Sequence, residues 1–211
     1  SPRRICLKVR TVGYRLSRNN GVYDSDTGLE KLAYYADQFG LSDKSGVEIS
    51  ESAPKVSDFD AIRSAIGQGT NNYSTVGLAR YVTTVADSGN CYNLSLLSKA
   101  TDADGNLIAD YTPTLRNTVD LKQSTWDAIH QGMRKVVEDK DYYKDLTIQV
   151  AGKTGTAQEN RKRANHALFV CYAPYEQPQI AIATRIAFGY ASDYAAQVTK
   201  DIVKYYFKLE D

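Results

Sequence analysis

The sequence has few of the residues that metal centres and disulfide-stabilised folds require. Among its 211 residues there are 3 cysteines and 2 histidines. Cys6, Cys91 and Cys171 are odd in number and widely spaced, which excludes a disulfide framework and a zinc-ligand pattern. His130 and His166 are isolated from each other. We therefore predict neither a metal site nor a cofactor.

Long apolar runs and an excess of charge of one sign are also absent. No apolar run approaches the ~18 residues that a membrane-spanning helix needs. The segment Ser1-Pro2-Arg3-Arg4 is not followed by the apolar core of a signal peptide. The formal net charge of +1 gives no bulk attraction to nucleic acid, so no nucleic-acid partner is predicted. With 42% hydrophobic and 24% charged residues, we expect a soluble globular domain or a large part of one.

Apolar residues recur at helical spacing in four segments of the chain. A capping box formed by Thr27 and Glu30 marks the start of the first helix. Ser124, with Asp127 after it, is predicted to cap the third helix. The four predicted helices span about residues 27–39, 75–87, 124–138 and 192–207.

The apolar stripe of the last helix predicts its buried side. Side chains three or four residues apart lie on one face of a helix. Asp193 near the start and lysines near the end suit the helix dipole. The residues predicted to face the core are Ala195, Val198, Ile202 and Tyr206.

Apolar runs at 147–157, 167–173 and 179–187 predict three strands. The short links between these runs favour antiparallel pairing, so we expect a meander. A separate hairpin is predicted around Asp104-Gly105, a type I′ turn signal between apolar runs. Helices packed on an antiparallel sheet define an α+β fold.

Groups that could bind a ligand are most concentrated in the stretch Gly152-Lys153-Thr154-Gly155-Thr156. Apolar and β-branched residues precede this stretch, so it is predicted to be a strand. Alternation along a strand places Lys153 and Gly155 on one face and both threonines on the other. The glycines let another backbone or a ligand approach closely. An ammonium group, two hydroxyls and exposed backbone N–H groups suit a carboxylate or a developing oxyanion.

Three interpretations compete for this stretch. A phosphate-binding loop of the form G-x-x-x-x-G-K-[ST] needs glycine at position 147, where the residue is Thr147, and it continues into a helix rather than a polar loop. The second interpretation is an ordinary half-buried strand whose lysine faces water. The third is the Lys-Thr-Gly element of the serine acyl-transferases that bind penicillin.

The third interpretation gains support from segments elsewhere in the chain. Each segment is weakly informative alone, whereas the ordered and spaced set is specific. In chain order they are Gly40-Leu41 with Lys44–Ile49 (KSGVEI), Ile66–Gly69 (IGQG), Leu78–Tyr81 (LARY), Gly152–Gln158 (GKTGTAQ) and His166–Val170 (HALFV).

Through these segments the chain, from about Val12 to Phe207, resembles the C-terminal part of the transpeptidase domain of class B penicillin-binding proteins. The resemblance implies an incomplete penicillin-binding-protein or β-lactamase-like fold over residues 12–211, with residues 1–11 as an unmatched segment. Members of this family cross-link peptidoglycan by serine acyl transfer, and β-lactams acylate the same serine. The implied partners are peptidoglycan stem peptides and β-lactams. The implied parent protein is membrane-anchored, with this domain on the extracytoplasmic face.

The resemblance also implies roles for four residues in substrate binding. Lys153 would support the electrostatics of the site, and the hydroxyls of Thr154 and Thr156 would bind the carboxylate of the substrate or antibiotic. Gly155 lies between them in the same strand, and the N–H of Thr156 would be one of two oxyanion donors.

The nucleophile that the family needs has no credible match in this sequence, so no catalytic residue is predicted. Ser52-Ala53-Pro54-Lys55 matches S-x-x-K in letters, but it lies in a polar loop rather than at the start of a buried helix. Ser17-Arg18-Asn19 matches S-x-N at a position where the family does not place that motif. We therefore predict a fragment of a transpeptidase domain that is inactive alone. The alternative is a non-catalytic relative that binds peptidoglycan or a partner, and an exposed sheet edge predicts homo-oligomers.

Overall fold

The computed structural model of the chain describes residues 17–158 and 162–209. The predicted segment 1–11 lies outside the described residues. The order of elements confirms an α+β architecture. In chain order the elements are β1 Arg18–Asn19, β2 Val22–Tyr23, α1 Ser25–Gln38, α2 Ala61–Ser64, α3 Thr75–Ala86, β3 Asn90–Tyr92, β4 Lys99–Thr101, β5 Leu107–Asp110, β6 Leu115–Thr118, α4 Gln123–Glu138, a 3-10 turn Asp141–Tyr143, β7 Ala151–Ala157, β8 His166–Ala173, β9 Ile180–Ile186 and α5 Ser192–Phe207.

The centre of the fold is the three-stranded sheet β7-β8-β9. Both neighbouring pairs are antiparallel, which confirms the predicted meander. Strand β7 begins at Ala151 rather than near residue 147. The preceding carbonyl, that of Val150, accepts a hydrogen bond from the Arg134 guanidinium (3.0 Å), so this part of the chain is held by α4.

Each face of the sheet supports its own hydrophobic core, because successive side chains of a strand point to opposite faces. On one face, Phe169 of β8 shares a core with Ala196 and Val203 of α5. On the other face, Tyr172 shares a core with Val82 of α3 and with residues of α4. The sheet is therefore covered on both sides over much of its length.

The buried side of α5 differs from the predicted one. Ala195 is buried as predicted, but its buried neighbours are Ala196, Thr199 and Val203. These small side chains let the helix lie close to β8, and the larger apolar residues at adjacent positions turn toward solvent. The prediction was therefore wrong for three residues that are at least 40% exposed, namely Val198, Ile202 and Tyr206.

Both predicted helix caps were wrong as well. Helix α1 begins at Ser25, because the Asp24 carboxylate accepts hydrogen bonds from the Asp26 N–H (3.0 Å) and the Thr27 hydroxyl (2.6 Å). Helix α4 has Lys122 at its N-cap position and no side-chain cap. Asp24 is therefore the cap residue, and the Thr27 hydroxyl donates to it instead of capping the helix itself.

The predicted hairpin is present between β4 and β5, but its turn is of another type. A type I′ turn needs positive φ at both central residues. Of Asp104 and Gly105 only Gly105 has one, at 87°. The loop is closed instead by the Asp102 carboxylate, which accepts from the N–H groups of Asp104 (3.0 Å) and Asn106 (2.8 Å).

Within the described residues, the outer edges of β7 and β9 have no strand partner. Such edges present unpaired N–H and C=O groups to other chains or peptides. Homo-oligomerisation through a sheet edge stays a prediction. None of the helices in the described ranges is long and apolar enough to cross a membrane.

Candidate functional site

Strand β7 carries all four predicted substrate-binding residues along the free edge of the sheet. In an antiparallel ladder, residues alternate between pointing their N–H and C=O toward the partner strand and pointing them away. The carbonyl of Thr154 accepts from the Lys153 ammonium (2.8 Å), and that of Thr156 accepts from the Gln68 amide (3.5 Å). Both carbonyls therefore point away from β8. The N–H groups of Thr154 and Thr156 line the same open edge.

The side chains of β7 alternate as the sequence predicts. Lys153 is opposite Val170 of β8 in the ladder, and the two threonines lie on the other face. Partial removal of its ammonium from water lowers the pKa of Lys153, and the positive charge of Lys140 lowers it further. The strand thus offers hydroxyls, outward N–H groups and a cation within a few residues.

The glycine at the start of this stretch serves the packing between strands. A Cβ at Gly152 would lie 2.5 Å from Cζ of Phe169 and 2.9 Å from the carbonyl oxygen of Val170. A Cβ at Gly155 would lie 3.2 Å from Cβ of Leu168. The close approach predicted from the glycines is therefore made by β8 of the same chain.

The glycine-flanked turn that carries Gln68 is held rigidly beside β7. The Ser64 hydroxyl donates to the Ser57 hydroxyl (2.7 Å). A Cβ at Gly69 would lie 2.6 Å from Oγ of Ser57, so this position needs glycine. The sequence analysis singled out the Ile66–Gly69 segment but not the contact of Gln68 with Thr156, because 88 positions separate the two residues.

The lysine of the S-x-x-K match pairs with residues other than its serine. Ser52 is exposed in a loop, and no hydrogen bond joins it to Lys55 within this described loop. The Lys55 ammonium pairs instead with Asp58 (3.1 Å), and the Lys55 backbone pairs with Asn72. The local geometry lacks the serine–base contact that activates a nucleophile. Ser17 of the S-x-N match is buried.

Thiols and metal ligands add no further chemistry to the part of the chain that the structure describes. Cys91 and Cys171 are free and buried. Burial raises the pKa of Cys171 to about 12, so this thiol is not a reactive thiolate. No group of three or more His, Cys, Asp or Glu residues in the described ranges could hold a metal ion.

Comparison with known proteins matches this chain to one family. The model of the penicillin-binding protein transpeptidase domain matches residues 11–204. The chain is 26% identical over 212 residues to penicillin-binding protein 2B of Streptococcus pneumoniae strain TIGR4, covering 89% of this chain and 31% of that protein. It is 28% identical over 217 residues to peptidoglycan D,D-transpeptidase MrdA of Haemophilus influenzae, covering 85% and 33%. The chain therefore spans about a third of the length of these curated relatives.

Solved structures show the same fold. Penicillin-binding protein 2B from Streptococcus pneumoniae strain R6 matches with a TM-score of 0.81 and 24% identity, over 96% of this chain and 37% of that one. The imipenem acyl-enzyme complex of penicillin-binding protein A from M. tuberculosis matches with a TM-score of 0.75 and 20% identity, over 84% and 42%. The predicted transpeptidase-type α+β fold is confirmed.

Proposed function

This chain belongs to the penicillin-binding protein transpeptidase family, and we propose that it binds peptidoglycan stem peptides along the free edge of β7. The parent protein would use this strand during cell-wall cross-linking by serine acyl transfer. The observation that carries the proposal is the outward backbone of Thr154 and Thr156 on an edge without a strand partner. Because the substrate lies outside the cytoplasmic membrane, the proposed parent is anchored there with this domain on the extracytoplasmic face.

An extended peptide can add to the β7 edge as a further strand. Backbone hydrogen bonds to an exposed edge supply affinity in this mode, and the adjacent side chains supply specificity. The terminal carboxylate of the peptide would accept from the hydroxyls of Thr154 and Thr156, with the Lys153 ammonium as a nearby cation. A scissile carbonyl over the Thr156 N–H would meet a donor already aimed at its developing oxyanion.

We expect each threonine hydroxyl to be needed for binding. Thr156→Val keeps the β-branched shape but removes the donor, and should weaken the binding of a peptide ending in D-Ala–D-Ala by about tenfold. Isothermal titration calorimetry measures the effect. The matched control is Thr101→Val at the exposed β4 position, which should leave the affinity unchanged. Equal affinity of the Thr156 variant and the wild type would contradict binding at this edge.

These 211 residues alone should form no covalent adduct with a β-lactam. The only S-x-x-K tetrad in the sequence has its lysine paired with Asp58, so Ser52 lacks an activating base. Intact mass spectrometry after incubation with excess benzylpenicillin should show an unchanged mass. A single adduct that maps to Ser52 and disappears in Ser52→Ala would show that the tetrad is a working nucleophile.

A second candidate function is non-catalytic binding of peptidoglycan. The pairing of Lys55 with Asp58 favours it, since the β7 edge is present while Ser52 has no activating base. The two functions predict different results for the full-length parent protein. Acylation of that protein by benzylpenicillin supports transpeptidation. Saturable retention of this chain on purified peptidoglycan, with a parent that benzylpenicillin does not acylate, supports the second function.

A further inference from the structure

Four side chains form a continuous stack beside the C-terminal end of β7, where Ala157 pairs with His166. The His166 ring lies 4.8 Å from the ring of Phe188. The guanidinium of Arg163 lies 5.3 Å from the centre of the Phe188 ring. At the other end, Nη2 of Arg185 is 3.3 Å and 3.4 Å from the two ring nitrogens of His166. We call Arg163, Phe188, His166 and Arg185 the guanidinium stack.

The backbone fixes the centre of this stack. Phe188 has a left-handed conformation, with φ of 55°, which is uncommon for a residue with a bulky side chain. Its N–H donates to Nδ1 of His166 (3.2 Å), and His166 is buried. The aromatic pair therefore forms an ordered platform for the two arginines, consistent with the preference of guanidinium groups for ring faces.

The charge of the stack is not balanced within the described residues. Arg163 and Arg185 are exposed, and neither makes an ion pair with an acidic residue described in the structure. By contrast, Arg63, Arg80 and Arg116 each pair with an aspartate. Two guanidinium groups with no carboxylate partner among the described residues present the fork geometry that binds a carboxylate.

The position of the stack relative to β7 determines which carboxylate it can reach. Arg185 is opposite Leu168 of β8, which is opposite Gly155 of β7. Two strand spacings, about 10 Å, separate the Arg185 backbone from the backbone of β7, and a peptide added to the outer edge of β7 lies one spacing further, at about 15 Å. The carboxylate must therefore be carried on a long side chain that extends across β7 toward the extended Arg185 side chain. Because Gly155 has no side chain, Leu168 supplies the side chain between the β7 backbone and Arg185 in this cross-strand row.

We propose that the guanidinium stack binds a side-chain carboxylate of the peptide on the β7 edge and sets a preference for stems that carry one. The inference rests on the proposed function. The terminal carboxylate of the peptide is assigned to the threonines of β7, so the stack takes a second carboxylate, on a residue that precedes D-Ala–D-Ala. Amidation of that side chain would remove the charge that the stack recognises.

The test compares two synthetic peptides that end in D-Ala–D-Ala and differ only in one preceding side chain, a free carboxylate or its carboxamide. Calorimetry with this chain should show about fivefold tighter binding of the carboxylate peptide, the scale of an exposed ion pair. Arg163→Gln and Arg185→Gln should each reduce that preference and leave the affinity for the carboxamide peptide unchanged. The matched control is Lys99→Gln, an exposed cation on β4, which should retain the full preference.

Salt provides a second readout. The Debye length falls from about 10 Å at 0.1 M to about 3 Å at 1 M ionic strength, so the preference should shrink as salt is added. Equal affinity of the wild type for both peptides, or a preference that the arginine variants keep, would overturn the role of the stack while leaving peptide binding at β7 intact. Absence of binding by either peptide would overturn both proposals.

Discussion

Arg80→Met should lower the free energy of unfolding by about 4 kcal/mol, since it removes a buried guanidinium that satisfies three backbone carbonyl oxygens. The Arg80 side chain in α3 is 0% exposed. Its guanidinium donates to the carbonyl oxygens of Gly40 (3.0 Å), Lys44 (3.0 Å) and Asp43 (2.8 Å) and pairs with the Asp43 carboxylate (2.6 Å). Methionine fills a similar volume but leaves these carbonyls without a donor, and an unpaired buried carbonyl is destabilising.

Urea denaturation followed by circular dichroism measures the change. Arg63→Met is the matched control, because the Arg63 side chain is 67% exposed and pairs with Asp60 within one helical turn. Exposed pairs of this kind contribute about 0.5 kcal/mol or less. A loss at Arg80 no larger than the loss at Arg63 would mean that the loop after α1 is stabilised by other contacts.

The elements that the sequence predicted best are those with strong periodicity. The spans of α3 and α5 and the order of the meander follow from apolar spacing, because burying an apolar face sets both the helical and the strand period. The caps were less predictable, since Asp24 and Thr27 both satisfy the local rule and only the three-dimensional structure shows which one accepts. The α5 face was predicted wrongly because large apolar residues such as Ile202 outweigh small ones such as Ala196 in a sequence pattern. Packing against a sheet favours the small ones.

In the candidate site, too, some features are set by residues that are neighbours in the sequence, and others by residues that are far apart in it. Alternation along a strand is local, so the faces of Lys153 and Thr154 could be predicted from the sequence. The contact of Gln68 with Thr156 could not, because it depends on how the turn after α2 docks on β7. The guanidinium stack was also missed, since Arg185 and Phe188 follow His166 by 19 and 22 positions and meet it only through the β8–β9 pairing and the turn after β9.

The position of the site next to a tightly packed strand pair links stability to function. In the proposed function, the outward backbone groups of Thr154 and Thr156 can bind a peptide only if β7 keeps its register with β8. The close packing of Gly152 against Phe169, which is 0% exposed, holds this register on the side of β7 that faces β8. A substitution that alters the inner contact is therefore expected to affect both the unfolding free energy and the binding edge.

Gly152→Ala should destabilise the protein by about 3 kcal/mol, near the upper end of the usual cost of overpacking a core. The added methyl group would lie 2.5 Å from Cζ of Phe169, 2.9 Å from the carbonyl oxygen of Val170 and 3.1 Å from Cβ of Cys171. The Phe169 ring is enclosed, and Val170 contributes backbone that the β8–β9 pairing holds. Relief therefore requires β7 to move away from β8.

The matched control is Gly132→Ala in α4, where an added Cβ meets nothing within 4 Å. The same chemical change there should stabilise the protein by about 0.5–1 kcal/mol, because alanine has the higher helix propensity. Thermal denaturation of the two variants should therefore shift the midpoint in opposite directions. If Gly152→Ala has the same denaturation midpoint as the wild type, β8 shifts to accommodate the extra methyl group. Strand packing would then not require glycine at this position. If Gly152→Ala is destabilised and its surviving folded fraction also binds D-Ala–D-Ala peptides more weakly, the β7–β8 packing is what holds the binding edge in place.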